Sequence, residues 1–276
     1  QDPTFIDKMS AWSNQGLIAP WEGEFIVYKA GAMHRDRGPT RWCAVPNMNA
    51  LCKAAIKSLR HTPLWMTRIQ RLENVGRHWH AEDESGSRHG PFSAVVLTAP
   101  APQCVPILAP HDEDLAKACA NVSFTPCWSI MLACNSEANI AWSGAKIEDS
   151  PVAWISQERT RPGADRQNQI TLWTLQAEAK WSASHIEMNP SEVSEIMLNA
   201  FTSITKMALP RDHYISAHRW RYARVQTPLV GRVQGTSNAP PLALAGGWCL
   251  GGGVESAWLS GQAAAVSVRD ALLNGE

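Results

Sequence analysis

The sequence predicts an α/β fold with a parallel α/β layer and a second unit that is richer in β-strands. Two apolar runs, residues 91–99 and 242–245, are continuous rather than alternating, which is typical of strands covered on both faces in a parallel sheet. Because these runs lie far apart in the chain, the layer is predicted to be a discontinuous domain. The predicted domains are 41–100 with 238–276 for the layer, and 1–40 with 101–237 for the β-rich unit.

The segment on which the functional prediction mainly rests lies near the end of the chain, at residues 242–265. An apolar strand pattern stops at Gly246 and Gly247, three more glycines stand at 251–253, and a helical pattern with small residues on one side follows. We call residues 246–257 the glycine corner. The N–H groups and dipole of a helix N-terminus attract anions, and glycines let a pyrophosphate or a flavin ring approach the main chain. From the residues alone, the corner fits either such a site or an ordinary helix-capping loop.

The elements of the N-terminal half follow from hydrophobic spacing and turn residues. Apolar residues repeat every three or four positions in the predicted helices and alternate in the predicted hairpin. In chain order, these elements are a helix at 7–15, a strand at 25–28, a polar loop at 31–40, a helix at 49–59, a hairpin or meander over 64–86, and a strand at 91–99 that runs into a proline-rich turn at 100–103.

The C-terminal half is predicted in the same way. Its clearest helical pattern places Val193, Met197, Phe201 and Ile204 on one side. In chain order, the elements are a helix at 112–120, strands at 126–133, 140–145, 151–155 and 170–177, a helix at 191–207, a strand at 217–223 and a loop at 224–240.

Composition restricts the class of partner and the compartment. The 276 residues carry 25 Lys plus Arg and 25 Asp plus Glu, so nothing in the overall charge favours nucleic acid or an anionic membrane, and a small molecule is the expected partner. No segment approaches the roughly 20 apolar residues of a membrane helix. Seven scattered cysteines and the absence of a signal peptide favour a soluble chain in a reducing cytoplasm.

Metal binding is not expected from the histidines and cysteines. His78, His80 and His89 lie on predicted strands with charged neighbours, which favours a solvated edge over a metal site. The spacing of Cys119, Cys127 and Cys134 matches no zinc pattern, so they are expected to be buried thiols. Thirteen tryptophans against three tyrosines indicate several flat surfaces in the core or around a planar ligand.

Six motifs along the chain point to a family. They are residues 41–51 (RWCAVPNMNAL), 95–103 (VVLTAPAPQ), 126–128 (PCW), 150–155 (SPVAWI), 217–223 (AHRWRYA) and 248–261 (WCL…VE…AWLSG). In this order they resemble the bacterial renalase-like FAD-dependent oxidoreductases, which are relatives of the flavin amine oxidases. The likeness covers nearly the whole chain.

The resemblance implies a flavoprotein with an FAD/NAD(P)-binding Rossmann-like layer and a substrate domain built on a mixed sheet. Family members take a hydride from a reduced substrate onto the flavin N5 and pass the electrons to oxygen, which gives hydrogen peroxide. In renalases the substrate is a dihydropyridine isomer of NAD(P)H, and the older family name implies an amine. FAD carries the electrons, so no nucleophile or metal is implied, and no catalytic side chain is assigned.

The resemblance also assigns residues to the cofactor. Gly246, Gly247 and Trp248 are implied near the phosphate and ribityl chain, and Val254, Glu255 and Ala257 at the start of the helix aimed at the pyrimidine end of the ring. Ile69 is implied at the adenine, and Thr98 and Pro100 near the adenosine. Ordinary strand packing is the alternative for Ile69 and for the segment from Thr98 to Pro100.

Three aromatic side chains are candidates for the substrate cavity: Trp154, His218 and Trp220. Planar side chains suit a ring of nicotinamide size. The alternative for each is a place in the core, and His218 could equally be a core histidine whose ring nitrogens are satisfied.

The sequence departs from the family pattern inside the glycine corner. Gly247 stands where the family has an acidic residue, Gly253 where it has an arginine, and Ser256 where it has a glycine. The first two changes remove a carboxylate and a cation beside the cofactor, so FAD affinity is expected to fall.

The family's Gly-x-Gly-x-x-Gly turn does not occur in the sequence, and residues 251–256 come nearest to it. The expectation is a truncated or shortened relative that lacks the central strand of its own cofactor layer, with apolar surface and strand edges exposed. A competing hypothesis is a remnant without cofactor that acts as a binding or structural module. A third is a flavin monooxygenase-like hydroxylase, which would need NAD(P)H to reduce its flavin.

Overall fold

A computed structural model describes residues 1–135, 140–165, 169–229 and 240–274. The fold is mixed α/β, as predicted, with 33% helix and 32% strand. The helices are α1 (Pro3–Asn14), α2 (Ala50–Lys57), α3 (Ala101–Leu108), α4 (Glu113–Ala120), α5 (Ala179–Ser184), α6 (Pro190–Thr205) and α7 (Gly253–Asn274). The strands are β1 (Ile18–Pro20), β2 (Phe25–Lys29), β3 (Ala32–Arg35), β4 (Trp42–Ala44), β5 (Ile69–Val75), β6 (His78–Asp83), β7 (Arg88–Phe92), β8 (Val95–Leu97), β9 (Ser123–Cys134), β10 (Gly144–Ile147), β11 (Val152–Gln157), β12 (Thr171–Ala177), β13 (His213–Thr227) and β14 (Leu242–Leu244).

The chain divides into two compact units, each made of separate segments. Unit 1 comprises 1–6, 61–124 and 224–276, and unit 2 comprises 7–60 and 125–223. These boundaries differ from the predicted domains: residues 41–60 belong to unit 2, where β4 pairs with β1, and 101–124 belong to unit 1, where α3 and α4 pack on its core. The assignment of one domain to the cofactor and one to the substrate stays a prediction.

Unit 2 is built on a seven-stranded mixed sheet in the order β13-β9-β12-β11-β10-β2-β3. β10 and β2 run parallel, whereas β12 is antiparallel to both of its neighbours. One face of the sheet packs against α6, and the fully buried side chains of Trp128, Trp173 and Phe201 form the centre of this core. Large aromatic side chains bury more apolar area than aliphatic ones, so these three dominate the packing.

Helix α6 shows how local sequence produces this packing. The Asn189 side chain accepts a hydrogen bond from the Ser191 N–H (3.0 Å), and Pro190 occupies the first helical position. Val193, Met197, Phe201 and Ile204 are buried, as their spacing predicts. The helix ends at Thr205, and Lys206, which follows it, adopts a left-handed conformation (φ 58°).

Unit 1 contains a parallel pair, β14 and β8, and an antiparallel meander, β5-β6-β7. The sequence predicted β5 and β6 of this meander, within the hairpin over 64–86, but not β7. Its core includes Cys104, Cys119, Leu242 and Leu244. Burial raises the pKa of Cys104 to about 12 and that of Cys119 to about 11, so both are protonated, inert thiols near neutral pH. Cys127 and Cys134 are also buried, as predicted, in the part of the chain assigned to unit 2.

The structure corrects the predicted loop at 31–40. Residues 32–35 form β3, because Ala30 (φ 49°) and Gly31 (φ 80°) make a two-residue hairpin turn after β2.

The structure also corrects the predicted elements around 64–68 and 100–103. Residues 64–68 are not strand, and β5 begins at Ile69. The expected proline-rich turn is the start of α3, because a proline in the first helical turn costs no hydrogen bond. The strand before it is short, and Val96 is 40% exposed rather than covered on both faces.

Two elements in the second half also differ from expectation. Helix α5 was not predicted, and β13 continues to Thr227 into what was expected to be a loop. The short helix α5 is capped by Glu178, whose carboxylate accepts a hydrogen bond from the Trp181 N–H (2.7 Å). The rest of that predicted loop, 230–239, lies outside the described residues.

Across the described ranges, no helix is both long enough and apolar enough to cross a bilayer. No three His, Cys, Asp or Glu side chains of the described residues come together as a metal site. His89 instead lies 2.8 Å from Asp83 in the β6–β7 hairpin. Hydrogen bonds from Ser85 and from His89 hold the pKa of Asp83 well below its usual range.

Candidate functional site

The glycine corner lies at the carboxyl ends of two neighbouring parallel strands. β8 and β14 pair in parallel, and the Ala245 N–H donates to the Leu97 carbonyl (3.0 Å). The segment after each strand therefore emerges at the same edge. The Trp248 indole N–H donates to the Ala99 carbonyl (3.1 Å), so the structure brings the predicted Thr98–Pro100 and Gly246–Trp248 segments together.

Gly246 sits where only glycine fits. Its φ is 152°, and a Cβ there would lie 2.6 Å from the indole nitrogen of Trp248. Its N–H donates to the hydroxyl of Ser260 (2.9 Å), a fully buried residue of α7. Trp248 is itself only 5% exposed and packs in the core of unit 1. The Trp248 side chain therefore links the glycine corner to the turn after β8 through its hydrogen bond to the Ala99 carbonyl.

The three glycines before α7 form an open backbone turn. Gly251, Gly252 and Gly253 have φ values of 112°, 97° and 84°, and a Cβ on the first or third would meet no atom within 4 Å. The Gly252 N–H donates to the Gly247 carbonyl (2.7 Å), which closes the turn. The 22-residue helix that follows begins at Gly253, and Val254 in its first turn is 60% exposed. The N-terminal N–H groups of such a helix have no acceptors inside the helix.

The other predicted residues of this helix start differ in environment. The Glu255 carboxylate accepts the Asp2 N–H (2.5 Å), and Phe5 packs against Trp258 with ring centroids 5.9 Å apart. The first residues of the chain therefore lie along the first turns of α7 and hold Glu255 in place. Ala257 is exposed.

Ile69 is placed in the meander of unit 1, apart in sequence from the corner. It is half-buried in β5 opposite Asp83, and its side chain packs against the core of unit 1. Thr98 is exposed, and Pro100 is the residue that precedes the first turn of α3. The roles assigned to all three beside a cofactor remain predictions.

The three candidate substrate residues lie on one face of the sheet in unit 2. Successive side chains of a strand point to opposite faces. Ile155 of β11 and Ala217 of β13 pack in the α6 core, so Trp154, His218 and Trp220 lie on the other face, which we call the open face. The His218 and Trp220 rings meet edge-on at 4.2 Å, and Trp220 is 54% exposed.

Trp154 has a defined set of neighbours on the open face, which the sequence did not identify. Its indole stacks on Phe25 (6.2 Å, 16° between planes) and crosses Gly144, where a Cβ would lie 2.7 Å from the indole. The Arg41 guanidinium lies 4.2 Å from the Phe25 ring and 5.4 Å from the Trp154 ring. Lys146 stands opposite Trp154 in the strand register. Only the strand order brings these residues together.

We expect Gly144→Ala to lower the free energy of unfolding by about 1–3 kcal/mol, because the added methyl group overlaps the Trp154 indole. In a Trp154→Ala background the same methyl group enters vacated space. A double-mutant cycle measured by denaturant unfolding is therefore expected to give a coupling of about 1–2 kcal/mol between the two sites. Strictly additive effects would contradict the close packing of Gly144 and Trp154.

In comparisons with known proteins, no protein-family model matches the sequence. The structure is similar to that of a protein assigned as a protoporphyrinogen oxidase from Exiguobacterium sp. 255-15, with a TM-score of 0.65 and 13% identity over 86% of this chain and 53% of that chain. It is also similar to a triple mutant of putrescine oxidase, with a TM-score of 0.65 and 10% identity over 99% of this chain and 87% of that chain.

The chain thus spans about half the length of the first of these proteins and most of the second. The putrescine oxidase structure comes from a redesign of cofactor binding in that enzyme. Identities this low establish the fold alone, and that fold is similar to those of FAD-dependent oxidoreductases.

Proposed function

We propose that this chain is an FAD-dependent oxidoreductase that takes a hydride from a reduced small molecule and passes the electrons to oxygen. The substrate class is a dihydronicotinamide isomer or an amine. One observation carries the proposal: in a fold similar to those of FAD-dependent oxidoreductases, a glycine corner at the carboxyl ends of β8 and β14 leads into the N-terminus of α7. Ligands of open α/β sheets bind outside the carboxyl ends of the strands.

The residues present fit a flavin nucleotide. The residues of the turn over Gly251–Gly253 carry no side chains, so a ligand can approach the backbone there. The exposed first turn of α7 offers N–H groups and the positive end of a helix dipole. Residues that would hold FAD are those already assigned: Gly246, Gly247, Trp248, Val254, Glu255, Ala257, Thr98, Pro100 and Ile69. FAD, when bound, accepts a hydride, which carries two electrons and one proton.

This chain's own contributions are orientation and electrostatics. The dipole of α7 favours negative charge at its N-terminus, and the hydrogen bond from Asp2 fixes the direction of the Glu255 carboxylate. Trp248 keeps the corner rigid through its bond to the Ala99 carbonyl. Rigid support of this kind matters because a site that moves by 1 Å loses much of its effect.

On the open face, the chain offers flat and apolar surface to a ring-shaped substrate. Trp154 is held by Gly144 and Phe25, and Trp220 stands exposed beside His218. Met131 adds apolar area on the same face, since it pairs with Thr174 opposite the α6 core and is 49% exposed.

The test is reconstitution of the purified protein with excess FAD, followed by removal of free flavin on a gel-filtration column. We expect flavin absorbance to elute with the protein, and we expect the complex to consume oxygen with a dihydropyridine or an amine substrate. Absence of bound flavin would overturn the proposal for this chain. Rapid reduction by ordinary NADPH would instead indicate the hydroxylase type.

A second candidate function is a binding or structural module without cofactor. Gly247 and Gly253 favour it, because they leave the corner without the carboxylate and the cation expected from the resemblance. Tight FAD binding together with oxygen consumption would exclude this candidate. The substitution Gly247→Asp separates the two cases further, since a weak FAD site should gain affinity from it. Gly253 is unsuited to the same test, because its φ of 84° would strain any side chain placed there.

A further inference from the structure

A cavity of about 400 Å³ in unit 2 has no role in the proposed cofactor chemistry. Two loops line this open cavity, the one over residues 21–24 between β1 and β2, and the one from Asp36 to Arg41 between β3 and β4. Its wall combines flat aromatic rings with charged side chains. The volume is within the range of small-molecule sites.

Arg41 is held rigidly in the wall. Its guanidinium donates to the Asp36 carboxylate (2.6 Å) and lies over the Phe25 ring at 4.2 Å, so both its direction and its plane are fixed. The bond to Asp36 uses one terminal nitrogen, and no other acceptor for this guanidinium is found among the described residues. A fixed guanidinium with remaining donors is suited to a planar oxyanion.

Asp36, which positions Arg41, is itself paired with more than one group. Asp36 also accepts from the Gly38 N–H (3.0 Å) and pairs with Lys146 (3.1 Å). Hydrogen bonds from Arg41 and Lys146 lower the pKa of Asp36 to about 2, so its single negative charge is shared by two cations. Arg35 also lines the cavity, but it stands opposite Ile26, which packs in the α6 core, so its side chain leaves β3 on the other face of the sheet from Phe25. Glu22, exposed, is the other acidic residue of the lining.

The aromatic part of the wall is also preorganised. Trp21 meets Phe25 edge-on, with ring centroids 5.3 Å apart and planes at 87°. The Trp21 indole N–H donates to the hydroxyl of Thr160 (3.1 Å), which fixes the indole. Rings held in this way bind a flat ligand with little loss of side-chain freedom.

We propose that this cavity binds a small molecule that carries a carboxylate on a flat ring. Arg41 takes the carboxylate, Asp36 positions Arg41, and Trp21 and Phe25 contact the ring. Every residue involved belongs to unit 2, and the site needs no flavin, so its success or failure is separate from that of the proposed function.

The experiment is a titration of the full chain, labelled with ¹⁵N at tryptophan, with benzoate as the probe. The Trp21 indole signal is identified by its loss in Trp21→Phe. We expect this signal to shift saturably with benzoate and to stay in place with benzamide, which has the same ring without the charge. Arg41→Lys is expected to weaken binding about tenfold, because lysine cannot provide the planar fork of donors.

Arg35→Ala supplies the matched control, because Arg35 is an exposed cation whose side chain lies on the other face of the sheet, and its removal leaves the Arg41–Asp36 pair intact. We expect it to leave benzoate binding unchanged. The comparison of benzoate with benzamide on the parent chain tests the proposal should Arg41→Lys fail to fold. The proposal is overturned if benzoate leaves the Trp21 signal unmoved, if benzamide shifts it equally, or if Arg41→Lys binds benzoate as tightly as the parent chain does.

Discussion

Replacing Gly246 with alanine is expected to lower the free energy of unfolding by about 2–4 kcal/mol. Two effects add. At a φ of 152° an L-residue is strained, and the new methyl group would lie 2.6 Å from the Trp248 indole nitrogen. To make room the indole must move, and its hydrogen bond to the Ala99 carbonyl is then lost. The glycine corner would then lose one of its links to the turn after β8.

The matched control is Gly261→Ala in α7. Gly261 lies inside the helix, and a Cβ there meets no atom within 4 Å, so alanine is expected to stabilise the protein by about 0.5–1 kcal/mol. Urea unfolding of both variants and of the parent chain measures the change in the free energy of unfolding for each substitution. Equal effects of the two substitutions would contradict the tight packing of Gly246 on Trp248. If FAD binds, its affinity should fall in Gly246→Ala and stay unchanged in Gly261→Ala.

Periodicity predicted the elements whose signal is local. Helix α6 and the strand-corner-helix of β14 and α7 lie where spacing and glycine density placed them. The hairpin turn at Ala30-Gly31 was missed because its first residue is not one of the usual left-handed formers. Helix α3 was missed because its prolines indicated a turn, although the first turn of a helix accepts proline readily.

The candidate site shows the same limit. Glycine spacing alone indicates the corner, but its contact with Ala99 exists only because β8 and β14 are neighbours. Likewise, alternation could place Trp154 on a face, whereas its contacts with Phe25 and Gly144 depend on the order of β2, β10 and β11. Register between strands distant in sequence is not encoded in any one segment, so these neighbours could not be predicted.

The core of unit 2 offers a comparison between two buried tryptophans, from which we expect Trp128→Phe to be the more damaging substitution. Both side chains are less than 2% exposed in one core. The Trp128 indole N–H donates to the His185 carbonyl (2.9 Å), whereas the Trp173 indole N–H is buried with no acceptor in the described residues. Phenylalanine at 128 therefore breaks a hydrogen bond, and phenylalanine at 173 removes an unsatisfied donor.

The expected destabilisation is about 2–4 kcal/mol for Trp128→Phe and about 1–2 kcal/mol for Trp173→Phe. Both variants lose similar volume, so the difference reports mainly on the two indole N–H groups, with a smaller part from the Arg219 guanidinium that lies 5.2 Å from the Trp128 ring. The two free energies of unfolding are measured under the same conditions. A larger loss at 173 would mean that its edge-on contacts with Trp142 (5.9 Å) and Phe201 (5.2 Å) outweigh the unsatisfied donor. Because a buried N–H without an acceptor opposes folding, the stabilising contribution of Trp173 then comes from its ring area and shape alone.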